Sequence, residues 1–150
     1  MFRNPFFHNK YINIVIFAGC LVYALIMIKL LFLRGDSYYY RTAYRYNLVP
    51  FETIQQYVLH RQDYNPDTWV KNLLGNIILF IPLGVIFPLL SRRYLRVLPF
   101  TRIVVLVLLT VELIQLFTRV GSFDVDDIIL NTFGALIGFG ATATLVSIPI

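Results

Sequence analysis

Charge is what this chain has least of. Only 14% of its 150 residues are Asp, Glu, Lys or Arg, while 58% are hydrophobic. In a soluble domain about a quarter of the residues are charged. A globular core of this size would need a polar surface, and there are too few polar residues to cover it. The mean hydropathy of +0.70 points to a hydrocarbon solvent instead. Cysteine is almost absent too: Cys20 is alone, which excludes a disulfide within the chain and suggests no thiol metal site. The two histidines, His8 and His60, are far apart and lack an HxxxH or HExxH context, so neither a metal nor another cofactor is assigned. Ser37, Ser91, Ser122 and Ser147 have no histidine beside them, which leaves no sign of a serine nucleophile. The net charge of +5 does not point to nucleic acid. The basic residues flank apolar runs, as expected for membrane topology and contact with anionic lipid headgroups.

What the chain has in excess is long apolar runs. Four are visible, at about 11–33, 73–90, 97–118 and 128–150. A hydrocarbon core of about 30 Å takes about 17 to 25 helical residues, and backbone groups facing lipid must be paired within the helix. The expected fold is therefore an all-α, four-helix transmembrane bundle in a single domain, 1–150. The first run is longer than a signal-peptide core and no small-residue cleavage site follows it, so it reads as an uncleaved span.

Basic residues set the expected orientation. Arg3 and Lys10 precede the first span, and Arg92, Arg93, Arg96 and Arg102 lie between or just inside the second and third, with no acid among them. Both segments should be cytoplasmic, as should both termini. The segment after the third span sets Arg119 against Asp124, Asp126 and Asp127 and should lie outside. The long first loop, 34–71, falls outside by parity. It is rich in tyrosine (Tyr38, Tyr39, Tyr40, Tyr44, Tyr46), a residue that favours the headgroup region. Within it Phe51, Ile54, Tyr57 and Val58 recur at helical spacing, which predicts a short interfacial helix.

The polar residues of the spans converge. Asn72 and Asn76 are one turn apart at the start of the second span, and Pro82 below them should kink it. Glu112, Gln115 and Arg119 make one stripe on the third. Asp124 can cap the fourth helix, and Asp127, Asn131, Gly134 and Gly138 share one of its faces, the glycines at a spacing that lets another helix approach closely. Asp126 reads as a solvated loop acid, and Asn76 and Asn131 as interhelical hydrogen-bond partners. Lys29, one turn from the end of the first span, either snorkels or joins the cluster. Glu112 stands out: a carboxylate inside a span costs about 2.5 to 3.5 kcal/mol and calls for a partner or a function. Arg119, Lys29 and an asparagine are the partners to consider.

Several of these segments resemble the VanZ-like family of bacterial membrane proteins. Asn72-Leu73-Leu74-Gly75-Asn76 with Phe80, Pro82 and Gly84 is similar to its second-span motif. Glu112-Leu113-Ile114-Gln115, Arg119, Asp124-Val125-Asp126-Asp127, Asn131, Gly134 and Gly138 resemble its longest motif, and Asn47-Leu48-Val49-Pro50-Phe51 its first-loop signature. The likeness covers about residues 10–145. It implies a protein of the bacterial plasma membrane, in a family whose namesake is associated with low-level resistance to teicoplanin.

Three classes of function fit these residues. A binder would hold a lipidated or lipid-linked amphiphile, a lipid-linked cell-wall precursor or a lipoglycopeptide, at the outer leaflet. Arg119 would meet its anionic group, and Asn72, Asn76, Gln115, Asp124 and Asn131 would meet its polar ones. A membrane-embedded enzyme would use Glu112 and Asp127 as acid and base, with Arg119 as anion clamp. A transporter would carry protons on Glu112, but the inner halves of the spans are almost wholly apolar, and a polar route would call for a second copy. The sequence fixes no oligomeric state.

Overall fold

The computed structural model describes residues 10–33 and 43–147, so Arg3, His8, Tyr38, Tyr39, Tyr40 and the expected end of the last span, 148–150, lie outside the described residues. Four helices are long and apolar enough to cross a membrane: Asn13–Phe32, Pro66–Leu90, Val97–Thr118 and Val125–Thr144. The expected all-α membrane fold is the one observed.

The chain divides into two compact units, Met1–Asp36 and Ser37–Ile150. The first contains helix α1, Lys10–Phe32, with Lys29 in its last turn, where a cation suits the negative end of the helix dipole. The second unit contains a two-residue strand β1 (Tyr46–Asn47), helix α2 (Glu52–Leu59), helices α3 (Pro66–Leu90) and α4 (Val97–Thr118), strand β2 (Phe123–Asp124) and helix α5 (Val125–Ser147).

Both α3 and α5 begin earlier than their apolar runs. Helix α3 starts at Pro66, not near Leu73. Asn65 caps it, its Oδ1 accepting from the Asp67 N–H at 3.0 Å, and Pro66 fits the first turn, where no N–H is needed. Its 25 residues span about 37 Å, longer than the hydrocarbon core alone requires. Helix α5 starts at Val125 rather than Ile128, capped by Asp124, whose Oδ1 accepts from the Asp126 N–H at 2.9 Å. Helix α3 runs on through Pro82 and Pro88.

Helices α3 and α5 pack backbone to backbone. A Cβ added at Gly84 would lie 2.0 Å from the Ala135 carbonyl oxygen. One at Gly134 would lie 2.1 Å from that of Ile77, and one at Gly138 would lie 2.0 Å from that of Ile81. Only glycine allows this approach, as the small-residue spacing on α5 predicts. Both helices run in the same direction, since the order 77, 81 on α3 meets 134, 138 on α5. Helix α4 returns against them through Phe100, Val104, Leu108 and Glu112, each four residues from the last and all buried. Phe100 stacks on Phe139 of α5 at 4.8 Å. The starts of α3 and α5 and the end of α4 therefore share one end of this three-helix unit.

Candidate functional site: a knot of buried carboxylates

At that end the first loop folds onto the turn between α4 and α5. Strand β1 pairs in parallel with β2, Tyr46 against Phe123 and Asn47 against Asp124, and the Phe123 N–H donates to the Arg45 carbonyl at 3.0 Å. Two residues per strand make a negligible sheet. Their effect is to bring Asn47 within reach of Asp124.

Three carboxylates then tie four segments together. The Glu112 Oε2 on α4 accepts from the Asp124 N–H at 3.0 Å. Asp124 Oδ1 accepts from Asn47 Nδ2 at 3.1 Å, and Oδ2 accepts from the Thr53 hydroxyl at 2.7 Å. Asp126 accepts from two backbone N–H groups of the first loop, Phe51 at 2.5 Å and Ile54 at 3.0 Å. Those amides belong to the start of α2, which has no side-chain cap of its own. Asp126, more than seventy residues away in sequence, supplies the cap that a local Ser or Asp would ordinarily give. A buried carboxylate is tolerated when donors surround it, and Asp126, fully buried, is surrounded in this way.

Phe51 shows what this cap holds in place. It has φ 68° and ψ 3°, a left-handed conformation uncommon outside glycine and asparagine. Val49-Pro50-Phe51-Glu52 forms a turn closed by the Glu52 N–H on the Val49 carbonyl at 3.3 Å. Proline at its second position and positive φ at its third match a type II turn, which normally takes glycine at that third place. The carboxylate bond to the Phe51 N–H offsets the strain, about 1 to 3 kcal/mol for such a residue.

The other expected site residues divide. Asn76 Nδ2 donates to Asp127 Oδ1 at 2.5 Å, joining α3 to α5. Asn131, one turn further along α5, is buried, and its Oδ1 has no hydrogen-bond partner among the described residues. Asn72 turns back on its own helix, donating to the Thr68 carbonyl at 2.8 Å. Gln115 is half-buried beneath the turn, where a Cβ on Gly121 would touch its side chain at 3.3 Å. Lys29 belongs to the first unit and is described with it.

Two expectations are corrected. Arg119 does not continue the Glu112 stripe, because α4 ends at Thr118 and Arg119 takes φ 56° at its C-cap. The Arg119 N–H donates to the Leu116 carbonyl and the Val120 N–H to that of Gln115, at 3.1 and 3.2 Å, a Schellman-type ending that turns the chain out of the helix. The exposed Arg119 guanidinium instead lies 4.6 Å from the Tyr44 ring centroid. Asp126 is no solvated loop acid: it is the most buried of the polar residues. Sequence reasoning missed it, together with Asn47 and Thr53. Helical spacing follows one segment, whereas the Asp126 partners come from a distant one. The Asn47–Phe51 motif was the available signal that this loop has a fixed place.

Beside the knot, Tyr57 of α2 is half-buried, and its phenol is pushed above the ordinary 10.0, first by burial and then by Tyr64, Asp127 and Asp124. Among the described residues no group of three or more His, Cys, Asp or Glu is arranged to hold a metal ion.

Membrane-crossing helices with a carboxylate-fixed polar end define a multi-pass membrane protein whose ordered chemistry lies at one face. The chain matches the family described as VanZ/LLP1 over residues 15–146, and it belongs to that family. Protein VanZ of Enterococcus faecium is similar to it, with 28% identity over 94 residues that cover 63% of this chain and 58% of the relative. The chain thus matches a little over half the length of that curated relative. No solved structure matches it.

Proposed function

We propose that this protein is a component of the bacterial cell envelope that binds the anionic head of a lipidated or lipid-linked amphiphile at the outer leaflet, and that it contributes in this way to tolerance of teicoplanin-type glycopeptides. The reading treats 1–150 as one domain, supported by a family match that runs through both units. It sets the knot outside and both termini in the cytoplasm, supported by the acid-free basic segment at Arg92–Arg102.

One observation carries it. Arg119 is exposed, its backbone is fixed by the end of α4, and its guanidinium is held over Tyr44. A planar fork placed there can take two oxygens of a phosphate or carboxylate whose acyl tail stays in the bilayer. Glu112, Asp124 and Asp126 already accept hydrogen bonds from within the fold, and in this reading they act as the frame that fixes the loop and turn at this end. The test is binding of farnesyl pyrophosphate and of teicoplanin to protein in neutral nanodiscs. Arg119→Ala should weaken association about tenfold, the scale of a lost charge-assisted contact. Unchanged affinity for both probes rejects the reading.

A second reading, an enzyme acting on a lipid-linked envelope substrate, is supported by two carboxylates at the same end of the three-helix unit, Glu112 on the Asp124 N–H and Asp127 on the Asn76 amide. It makes this pair the acid and base and Arg119 the clamp. A Glu112→Gln variant that inserts, folds and turns over such a substrate at the parent rate eliminates it.

A further inference from the structure

A second cationic feature lies away from Arg119, where the first loop enters the bilayer. Between α2 and α3 the chain makes a 3-10 turn, Arg61–Asp63. Leu59, Arg61, Gln62, Tyr64 and Pro66 line a cleft of about 500 Å³ there. Arg61 is exposed, and its guanidinium lies 4.8 Å from the Trp69 ring centroid. The indole is itself fixed, since Trp69 Nε1 donates to the Tyr57 carbonyl at 2.8 Å, and Tyr57 packs on Tyr64 at 4.6 Å. One aromatic ring, the Trp69 indole, thus holds the guanidinium at the edge of a concave surface, and the Tyr57 carbonyl holds that indole. A cation–π contact occupies no N–H donor of the guanidinium, so its five donors can still meet an anion.

We infer that this cleft binds the phosphate of an anionic phospholipid headgroup through Arg61, with the Gln62 amide and the Tyr64 hydroxyl as further donors. Three arguments select that occupant. The cleft is bordered by Pro66, the first residue of a membrane-spanning helix, so it opens at the level of the lipid phosphates. Trp69, Tyr57 and Tyr64 are the residue types that settle at that level. Leu59, 70% exposed, gives the rim an apolar edge that an acyl chain can cover and a free phosphate cannot. The acidic neighbours are Asp63 in the same turn and Asp67, which is paired with Lys71. Arg61 and Asp63 cancel in net charge, so the selection rests on the hydrogen bonds of the guanidinium and not on a local excess of positive charge. The site does not depend on Arg119, and the two stand or fall separately.

Trp69 is the chain's single tryptophan, so intrinsic fluorescence reports on this cleft directly. The full-length protein in phosphatidylcholine nanodiscs is titrated with short-chain phosphatidylglycerol, short-chain phosphatidylcholine or inorganic phosphate. A saturable change is expected with phosphatidylglycerol at concentrations where the other two produce none. Arg61→Ala should raise the half-saturation concentration about tenfold and Arg61→Lys by less, since lysine keeps the charge but not the fork. Arg61→Ala alters the fluorophore's surroundings, so lipid retention by native mass spectrometry is measured alongside and should fall in parallel. An equal response to inorganic phosphate would replace the lipid with a free anion and overturn the assignment. So would an equal response to phosphatidylcholine, or lipid retention unchanged in Arg61→Ala.

Discussion

Replacing Asp126 by alanine removes one side chain from α5, and the damage should appear in α2. The lost carboxylate is the acceptor for the Phe51 and Ile54 N–H groups. Hydrogen bonds to a charged group contribute about 1.5 to 3 kcal/mol each. Part of that returns because the outer side of α2 is exposed and water can reach freed amides, so about 2 to 4 kcal/mol is the expected local loss. A helix of eight residues has no stability of its own to absorb it. Local opening of α2 should therefore become about 30- to 1,000-fold more frequent, at 1.4 kcal/mol per factor of ten. Hydrogen exchange by mass spectrometry on protein in nanodiscs reads this in peptides covering 51–59, with the core of α4 around Val104 and Leu108 as the unaffected reference. Asp126→Asn keeps one acceptor oxygen and should fall between. If exchange in 51–59 is the same in the parent and in Asp126→Ala, the carboxylate does not hold the loop and the account of the knot is wrong.

Other outcomes follow from the same geometry. Gly84→Ala sets a methyl 2.0 Å from the Ala135 carbonyl oxygen, and the helices must part. It should destabilise the protein in detergent by at least about 1 to 3 kcal/mol, as overpacking does. Gly140→Ala, where a Cβ meets nothing within 4 Å, should be neutral or stabilise by about 1 kcal/mol through helix propensity. Equal thermal melts for the two variants would contradict the backbone contact between α3 and α5. Tyr57 should ionise above the ordinary phenol value of 10.0 because burial disfavours its anion. A raised folded value means its stabilising effect is complete below pH 10.0 and is lost as pH rises through the folded value. The alkaline limb of the stability curve should therefore be shallower in Tyr57→Phe. An identical limb in both proteins would argue against a buried phenol.

Helix number and class were legible because a hydropathy window measures what the bilayer selects. It located the apolar part of each helix and overlooked polar first turns. The missed start of α3 had its own signal, since Asn65-Pro66-Asp67 places a capping residue before a proline suited to the first turn. Glycine spacing on α5 foretold close packing, although its partner, Gly84 with Ile77 and Ile81, lay beyond the reach of a single-helix pattern. Projecting α4 as an endless helix put Arg119 on the Glu112 stripe, and the left-handed cap at Arg119 removed it. Glu112 was singled out as a group needing a partner, and among the described residues the backbone N–H of Asp124 supplies one. Asp126 could not be read from spacing at all. Its environment exists only once the strand pair has brought the first loop to the α4–α5 turn.

The side of the membrane on which Arg119 emerges tests the central claim most directly. With Cys20→Ala removing the native thiol, Arg119→Cys supplies a single reporter at the end of α4. Intact cells are treated with a membrane-impermeant maleimide before and after permeabilisation. The account predicts full labelling of position 119 from outside, with no further gain once the membrane is opened. Labelling that appears only after permeabilisation would put the knot and its arginine in the cytoplasm, where no outer-leaflet amphiphile can meet them.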